Sequence, residues 1–187
     1  MNAIISRLIS LHHAVFGWLE RMGDRWLGGL VARFAFAAVL WMYFYSSFRT
    51  KVGEGLGVFS VQDGAYYQIA LPAVDAAGGD VSAVAFLPWG LIVHLGTYAE
   101  FILPLMIVLG LFTRIAALGM LGFIAVQTLV DVTVHKVDAA TIGGWFDRFP
   151  DAVILDQRLL WTVPLVFLAL KGAGLLSVDA LLARRRM

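Results

Sequence analysis

Two charged side chains lie deep inside long apolar stretches of the sequence and are the strongest candidates for chemistry. Glu100 is the only Asp, Glu, Lys or Arg in 87–112, and Arg33 is the only one in 27–48. An ionisable group is costly in hydrocarbon, so such residues are functional candidates by default. We predict that Glu100 and Arg33 are the catalytic residues. In this hypothesis Glu100 takes part in proton movement or binds a polar head group. The alternative is an Arg33–Glu100 salt bridge that only fixes helix register.

A second group of polar side chains is predicted at the opposite ends of the same helices. If the helices alternate in direction, these residues reach one depth, beneath the loops that join the helices. They could bind a quinone carbonyl, a divalent metal or an anionic ligand, or only form hydrogen bonds that seal the bundle. Asp131 and His135 have the spacing of a metal pair, but nothing demands a third ligand, so we predict no metal site. The candidate ligand-binding residues are His94, Tyr98, Asp131, His135, Asp156 and Arg158.

Composition excludes most soluble classes of protein. Hydrophobic residues make up 60% of the 187 and charged residues 14%, against about 45–50% and 25% in soluble domains. The formal net charge of +1 favours no nucleic-acid partner. Because the sequence has no cysteine, it can form neither a disulfide nor a thiolate metal site. Any redox chemistry must therefore use a cofactor that is not attached through cysteine.

Four apolar stretches are long enough, or nearly so, to cross about 30 Å of hydrocarbon. The sequence thus predicts an all-α integral membrane four-helix bundle, one transmembrane domain over 1–187. Two loops on the outer side, 49–86 and 136–151, are expected to fold over the mouth of the bundle. Gly110, Gly119 and Gly122 are interpreted as sites of close helix approach. The predicted spans are 27–48, 87–112, 115–134 and 152–176.

The stretch 1–26 has the apolar periodicity of an amphipathic helix. We predict that it lies in the membrane interface, with a docking face for a soluble partner as the alternative. The apolar positions of this helix are Ile4, Leu8, Leu11, Val15, Trp18 and Met22.

Lys and Arg are more numerous on the side of the two termini. This bias places both termini in the cytoplasm, and the protein in the inner membrane.

Two tight motifs occur in order along the chain, and two single residues match more loosely. The Ala-Glu pair at 99–100 is followed by LGLFTRIAAL at 109–118, and GAGLLSVDALL occupies 172–182. Together they resemble the DoxX family of small four-span membrane proteins. The looser matches, an arginine in the first span and a base just past its end, are Arg33 and either Arg49 or Lys51.

The resemblance implies a four-helix bundle in a prokaryotic cytoplasmic membrane. The family includes subunits associated with thiosulfate:quinone oxidoreductase and with other membrane oxidoreductase complexes. By motif matching, the resemblance also implies that four residues occupy positions typical of the family: Arg33, Glu100, Arg114 and Asp179. We expect Arg114 to hold lipid phosphates or cap the carbonyls that end the second span, and Ser177 and Asp179 to begin a final helical turn.

Three functions follow as hypotheses. The first is the membrane subunit of a redox system that binds quinone or a similar amphiphile and is completed by a partner protein. The second is a non-enzymatic transporter or export component for a small ligand, metal or peptide. The third is a purely structural subunit. The lipid bilayer is a partner in each of them, and a homo-oligomer is compatible with all three. No sequence motif of a hydrolase, kinase or dehydrogenase is present.

Overall fold

The computed structural model describes residues 2–185, without the side chains of residues 2–4 and of Arg25. The predicted apolar position Ile4 therefore lies outside the described side chains. Within the described range the chain is all-α and contains no β-strand. The helices are α1 (Asn2–Met22), α2 (Gly28–Arg49), α3 (Asp63–Ile69), α4 (Leu71–Ala76), α5 (Phe86–Leu109), α6 (Thr113–Thr133), α7 (Ala139–Ile142), α8 (Val153–Lys171) and α9 (Val178–Arg184).

Four of these helices, α2, α5, α6 and α8, are long and apolar enough to cross a membrane. The predicted fold class is therefore confirmed. The second span ends at Leu109, earlier than expected, because Gly110 and Phe112 both have positive φ angles, 69° and 45°. This turn joins α5 to α6 at what we call the hairpin end of the bundle. The opposite end, where residues 50–85 and 134–152 connect the helices, is the loop end.

The N-terminal helix α1 leads into the first span through one wider helical turn, Gly23–Leu27. The residues on both sides of this turn keep right-handed helical angles. The apolar residues Leu8, Leu11, Val15 and Trp18 are all exposed, as an amphipathic helix that meets a membrane or another surface requires.

The core of the bundle is built from aromatic and aliphatic side chains of all four spans. Phe36 and Phe44 of α2 are at most 1% exposed, as are Met120 of α6 and Leu165 of α8. They belong to one continuous cluster that also contains Ile107 of α5. This packing fills the bundle between the hairpin end and the site described below.

Candidate functional site

A buried ion pair joins the end of the first span to the middle of the second. Lys51 Nζ lies 3.0 Å from Glu100 Oε2 and donates to Ser47 Oγ at 2.7 Å. Lys51 is 2% exposed and Glu100 5%. Two opposite charges so far removed from solvent carry a large desolvation cost, which their mutual attraction and hydrogen bonds must offset.

Local backbone structure explains why a lysine beyond the end of a span is buried. Helix α2 ends at Arg49, and the amide of Lys51 donates to Phe48 O at 3.0 Å, so the chain turns at once. The carbonyl of Lys51 then accepts a hydrogen bond from Gln62, at the start of α3. The turn holds the backbone of Lys51 at the loop end while its flexible four-carbon stem reaches Glu100.

The expected Arg33–Glu100 salt bridge is wrong, because Arg33 is used at the hairpin end. Its guanidinium donates to Ile107 O at 3.1 Å and to Val108 O at 2.6 Å, and it also donates to Leu176 O. These carbonyls end α5 and precede α9, where helical hydrogen bonds run out. Arg33 thus joins α2 to α5 and to the segment before α9, and Lys51 is the cation that pairs with Glu100.

The closing motif of the sequence caps helices at the same end. Asp179 accepts from the amides of Phe112 and Thr113, at 2.7 and 2.9 Å, and so caps α6 from across the bundle. Ser177 Oγ accepts from Ala180 N at 3.2 Å and begins α9, as predicted. Arg114 is exposed. The carbonyls of Ile107 and Val108 near the end of α5 accept from Arg33, so Arg33 takes the capping role there, and the lipid-phosphate role of Arg114 stays a prediction.

A cavity of about 490 Å³ opens between α5 and α6 beside the ion pair. Its volume falls within the range of about 300–1,000 Å³ that ligand sites usually have. Most of its wall is apolar or glycine. The polar exceptions are Ser47, Lys51, Gln68, Glu100, Gln127, Asp131 and His135.

Three of the predicted ligand-binding residues lie at or beside this cavity. Asp131 and His135 line it. Arg158, which is 5% exposed, makes an ion pair with Asp131 and donates to Thr128 Oγ1 at 2.8 Å. His135 Nε2 lies 3.0 Å from Gln68 O, so it connects the end of α6 to α3.

The other three point away from the cavity, so the expected single cluster is wrong. His94 Nδ1 lies 2.7 Å from Gly90 O, and its ring packs against Phe86. Tyr98 donates to Val58 O at 3.3 Å. Asp156 accepts from the amide of Ala152 at 3.0 Å and caps its own helix. All three serve local structure because helix rotation, rather than depth, decides which side chains meet.

Four polar lining residues, Ser47, Lys51, Gln68 and Gln127, and a role for glycine were missed at the sequence level. Lys51 had a signal, since a base just past the first span matched the family pattern. Gln127 had none; its amide donates to Tyr43 Oη at 3.0 Å, and its Oε1 is buried without a hydrogen-bond partner among the described residues. Gly119 and Gly122, interpreted as helix-contact residues, line the cavity. Gly119 also lies against α5, since an added Cβ would be 3.1 Å from Leu103 Cδ2.

The arrangement can bind a small polar group next to an apolar surface. The amide of Gln127 supplies a donor, and Glu100 and Asp131 supply acceptors. The three hydrogens of the Lys51 ammonium are already donated to Ser47 and Glu100. Among the described residues, no three His, Asp or Glu side chains are grouped as a metal site would require.

Comparison with known proteins identifies the family. The family model of DoxX matches residues 28–136, which include α2, α5, α6 and the ion pair. No curated protein and no solved structure matches the chain.

Proposed function

The chain belongs to the DoxX family of membrane proteins, and we propose that it binds quinone or a similar amphiphile in the cavity between α5 and α6. In this proposal it is the membrane subunit of a redox system that a partner protein completes. One observation carries the proposal: a buried ion pair, Lys51 with Glu100, forms part of the wall of a largely apolar cavity.

The shape and polarity of the cavity suit an amphiphile. A quinone head has two carbonyl oxygens that accept hydrogen bonds. The amide of Gln127 is a donor on the wall, and the ammonium of Lys51 adds a positive charge beside it. The buried Oε1 of Gln127, which lacks a partner among the described residues, suits a ligand hydroxyl group. When bound, a quinone supplies two-electron chemistry coupled to protons. The carboxylates of Glu100 and Asp131 are the groups of this chain that can hold a proton beside it.

The composition agrees with a partner. The sequence has no cysteine, and therefore no thiol pair that could exchange electrons with a ligand. In this proposal, electrons come from, or go to, another protein or a cofactor which that protein holds.

Packing favours binding over transport. The polar wall of the cavity lies on the loop-end side, and the space between it and the hairpin end is filled by Phe36, Met120, Leu165 and their neighbours. A transported solute would need a polar path through this cluster.

We also propose an inner-membrane location with the hairpin end in the cytoplasm. The excess of Lys and Arg near both termini and the hairpin supports this orientation. It would place the mouth of the cavity toward the outer face of the membrane.

The test is to purify the full chain in native lipids, extract bound quinone, and titrate a benzoquinone into the lipid-embedded protein. Glu100→Gln should lower bound quinone and weaken affinity by about tenfold or more, because it removes the charged acceptor that holds the Lys51 ammonium at the cavity wall, and hydrogen bonds to charged groups are worth about 1.5–3 kcal/mol. Glu54→Gln, a matched change at an exposed loop carboxylate, should leave both unchanged. If the wild-type protein neither carries nor binds quinone, the proposal fails.

A further inference from the structure

The cavity is open toward the lipid side of the bundle. Of the residues on its rim, Ile92 is 44% exposed, Leu95 63% and Val126 61%. Gly122 of α6 is itself exposed and also lines the cavity. Within the described part of the chain, a Cβ added at Gly122 would have no neighbour within 4 Å. The gap at Gly122 is therefore a side opening between two membrane-crossing helices.

Toward water, the cavity is crossed by the helix α3. Gln68 and Ile69 of α3 both line it. Ile69 lies 3.3 Å from where a Cβ of Gly96 would be, so the two helices are in close contact. Hydrogen bonds hold α3 in place, since Gln68 O lies 3.0 Å from His135 Nε2 and Gln68 Nε2 donates to Thr50 Oγ1 at 3.4 Å.

Toward the hairpin end, the cavity is closed by side-chain packing. Leu103 covers Gly119, with 3.1 Å between its Cδ2 and an added Cβ. Beyond it lies the buried core with Ile107 and Met120 at 0% exposure. Of the three directions, the lipid side is the one where exposed lining residues and an open position at Gly122 leave the cavity uncovered.

We infer that the ligand enters sideways from the hydrocarbon through the gap at Gly122 and that its hydrocarbon chain stays in this gap while its head meets Lys51 and Glu100. The ligand class is therefore a chain-bearing amphiphile dissolved in the membrane rather than a water-borne small molecule. This inference rests on the proposed function and adds to it the route of access and the chemical form of the ligand.

The experiment compares one benzoquinone head in two forms, with a decyl chain and with a methyl group only. Affinities are measured for the full chain in lipid nanodiscs. Gly122→Leu should weaken binding of the decyl form by about tenfold, equivalent to about 1.4 kcal/mol, and that of the methyl form by less than about twofold. Each probe partitions equally into the nanodiscs of the wild type and of the variants. The ratio of the variant's dissociation constant to that of the wild type therefore does not depend on how much probe the bilayer takes up.

Two further variants control for folding and for bulk. Gly122→Ala adds only a Cβ that meets open space, so it should fold normally and weaken the decyl form by about threefold. Ala125→Leu adds an equally large side chain to the same helix, at an exposed position outside the cavity lining, and should behave as wild type.

Each outcome decides a different statement. A selective loss for the decyl form in the Gly122 variants supports the inference. Equal losses for both forms, or none for either, overturn it and leave the proposed function standing. Failure of the wild-type protein to bind either form overturns the proposed function as well.

Discussion

Removing the lysine of the buried ion pair should destabilise the protein far more than replacing both partners together. The side chains of Lys51 and Glu100 are 3% and 7% exposed. Lys51→Met leaves the carboxylate without its cation in apolar surroundings, and the loss of one member of such a pair costs about 3–5 kcal/mol. Combining it with Glu100→Leu removes both charges, a change that is often neutral or stabilising. The double variant should therefore regain most of the lost stability.

The measurement is reversible unfolding in mixed detergent micelles for the wild type, both single variants and the double variant. The cycle yields the coupling energy between the two side chains. Asp24→Asn is the matched control, because it removes one member of an exposed ion pair. In that pair the side chain of Asp24 is 65% exposed and that of Lys171 is 54% exposed. That change should cost less than about 1 kcal/mol. If Lys51→Met costs no more than this control, the reasoning about buried charge is refuted.

The same double variant separates a structural role from a binding role. A stable double variant that no longer binds quinone would show that the charges at 51 and 100 serve the ligand. A stable double variant that binds quinone as the wild type does would show that the pair only fixes the helices, as the structural hypothesis holds.

Three other predictions address the ends of the bundle. Asp179→Ala removes the acceptor that caps α6 and should lower the free energy of unfolding by about 0.5–2 kcal/mol; an unchanged value would show that the cap is replaced by solvent. The hydrogen bond from the side chain of Thr141 lowers the pKa of Asp138 below its usual value. The cap of α7 is therefore present above the unfolded-state pKa and is lost as pH falls through the depressed value. The protection factor of the Thr141 amide against exchange should fall in that acid range in the wild type but not in Asp138→Asn, and equal pH profiles would contradict this. Because the sequence has no cysteine, Glu54→Cys and Arg184→Cys can report orientation. A membrane-impermeant maleimide should label the first in intact cells and the second only after lysis, and the reverse pattern would invert the proposed topology.

The number and approximate limits of the spans could be read from the sequence. In lipid, a helix satisfies its own backbone hydrogen bonds, so a span depends mainly on a local run of apolar residues. For the same reason Glu100 stood out, because a charge interrupts such a run whatever the rest of the chain does. The fourth span was expected to extend to residue 176. It ends at Lys171, because Gly172 follows with a φ of 81°.

The partners of the charged residues could not be read in the same way. Arg33 was the candidate because it is the one Lys or Arg inside the first predicted span. The actual partner of Glu100 is Lys51, which lies beyond the end of that span. A turn at the loop end directs Lys51 back into the bundle, and this turn depends on contacts with α3. Asp131 and Arg158 were expected at one depth and do pair, whereas His94 does not face them.

Hydropathy therefore determined which segments are helices in the membrane and which ionisable group is unusual there. It carries no information on the rotation of each helix about its axis or on how far a flexible side chain reaches. Those two properties decided that Lys51 meets Glu100, that Arg33 is used at the hairpin end, and that glycines between α5 and α6 leave a cavity. They arise only when four helices pack together, because each rotation is set by the side chains of its neighbours.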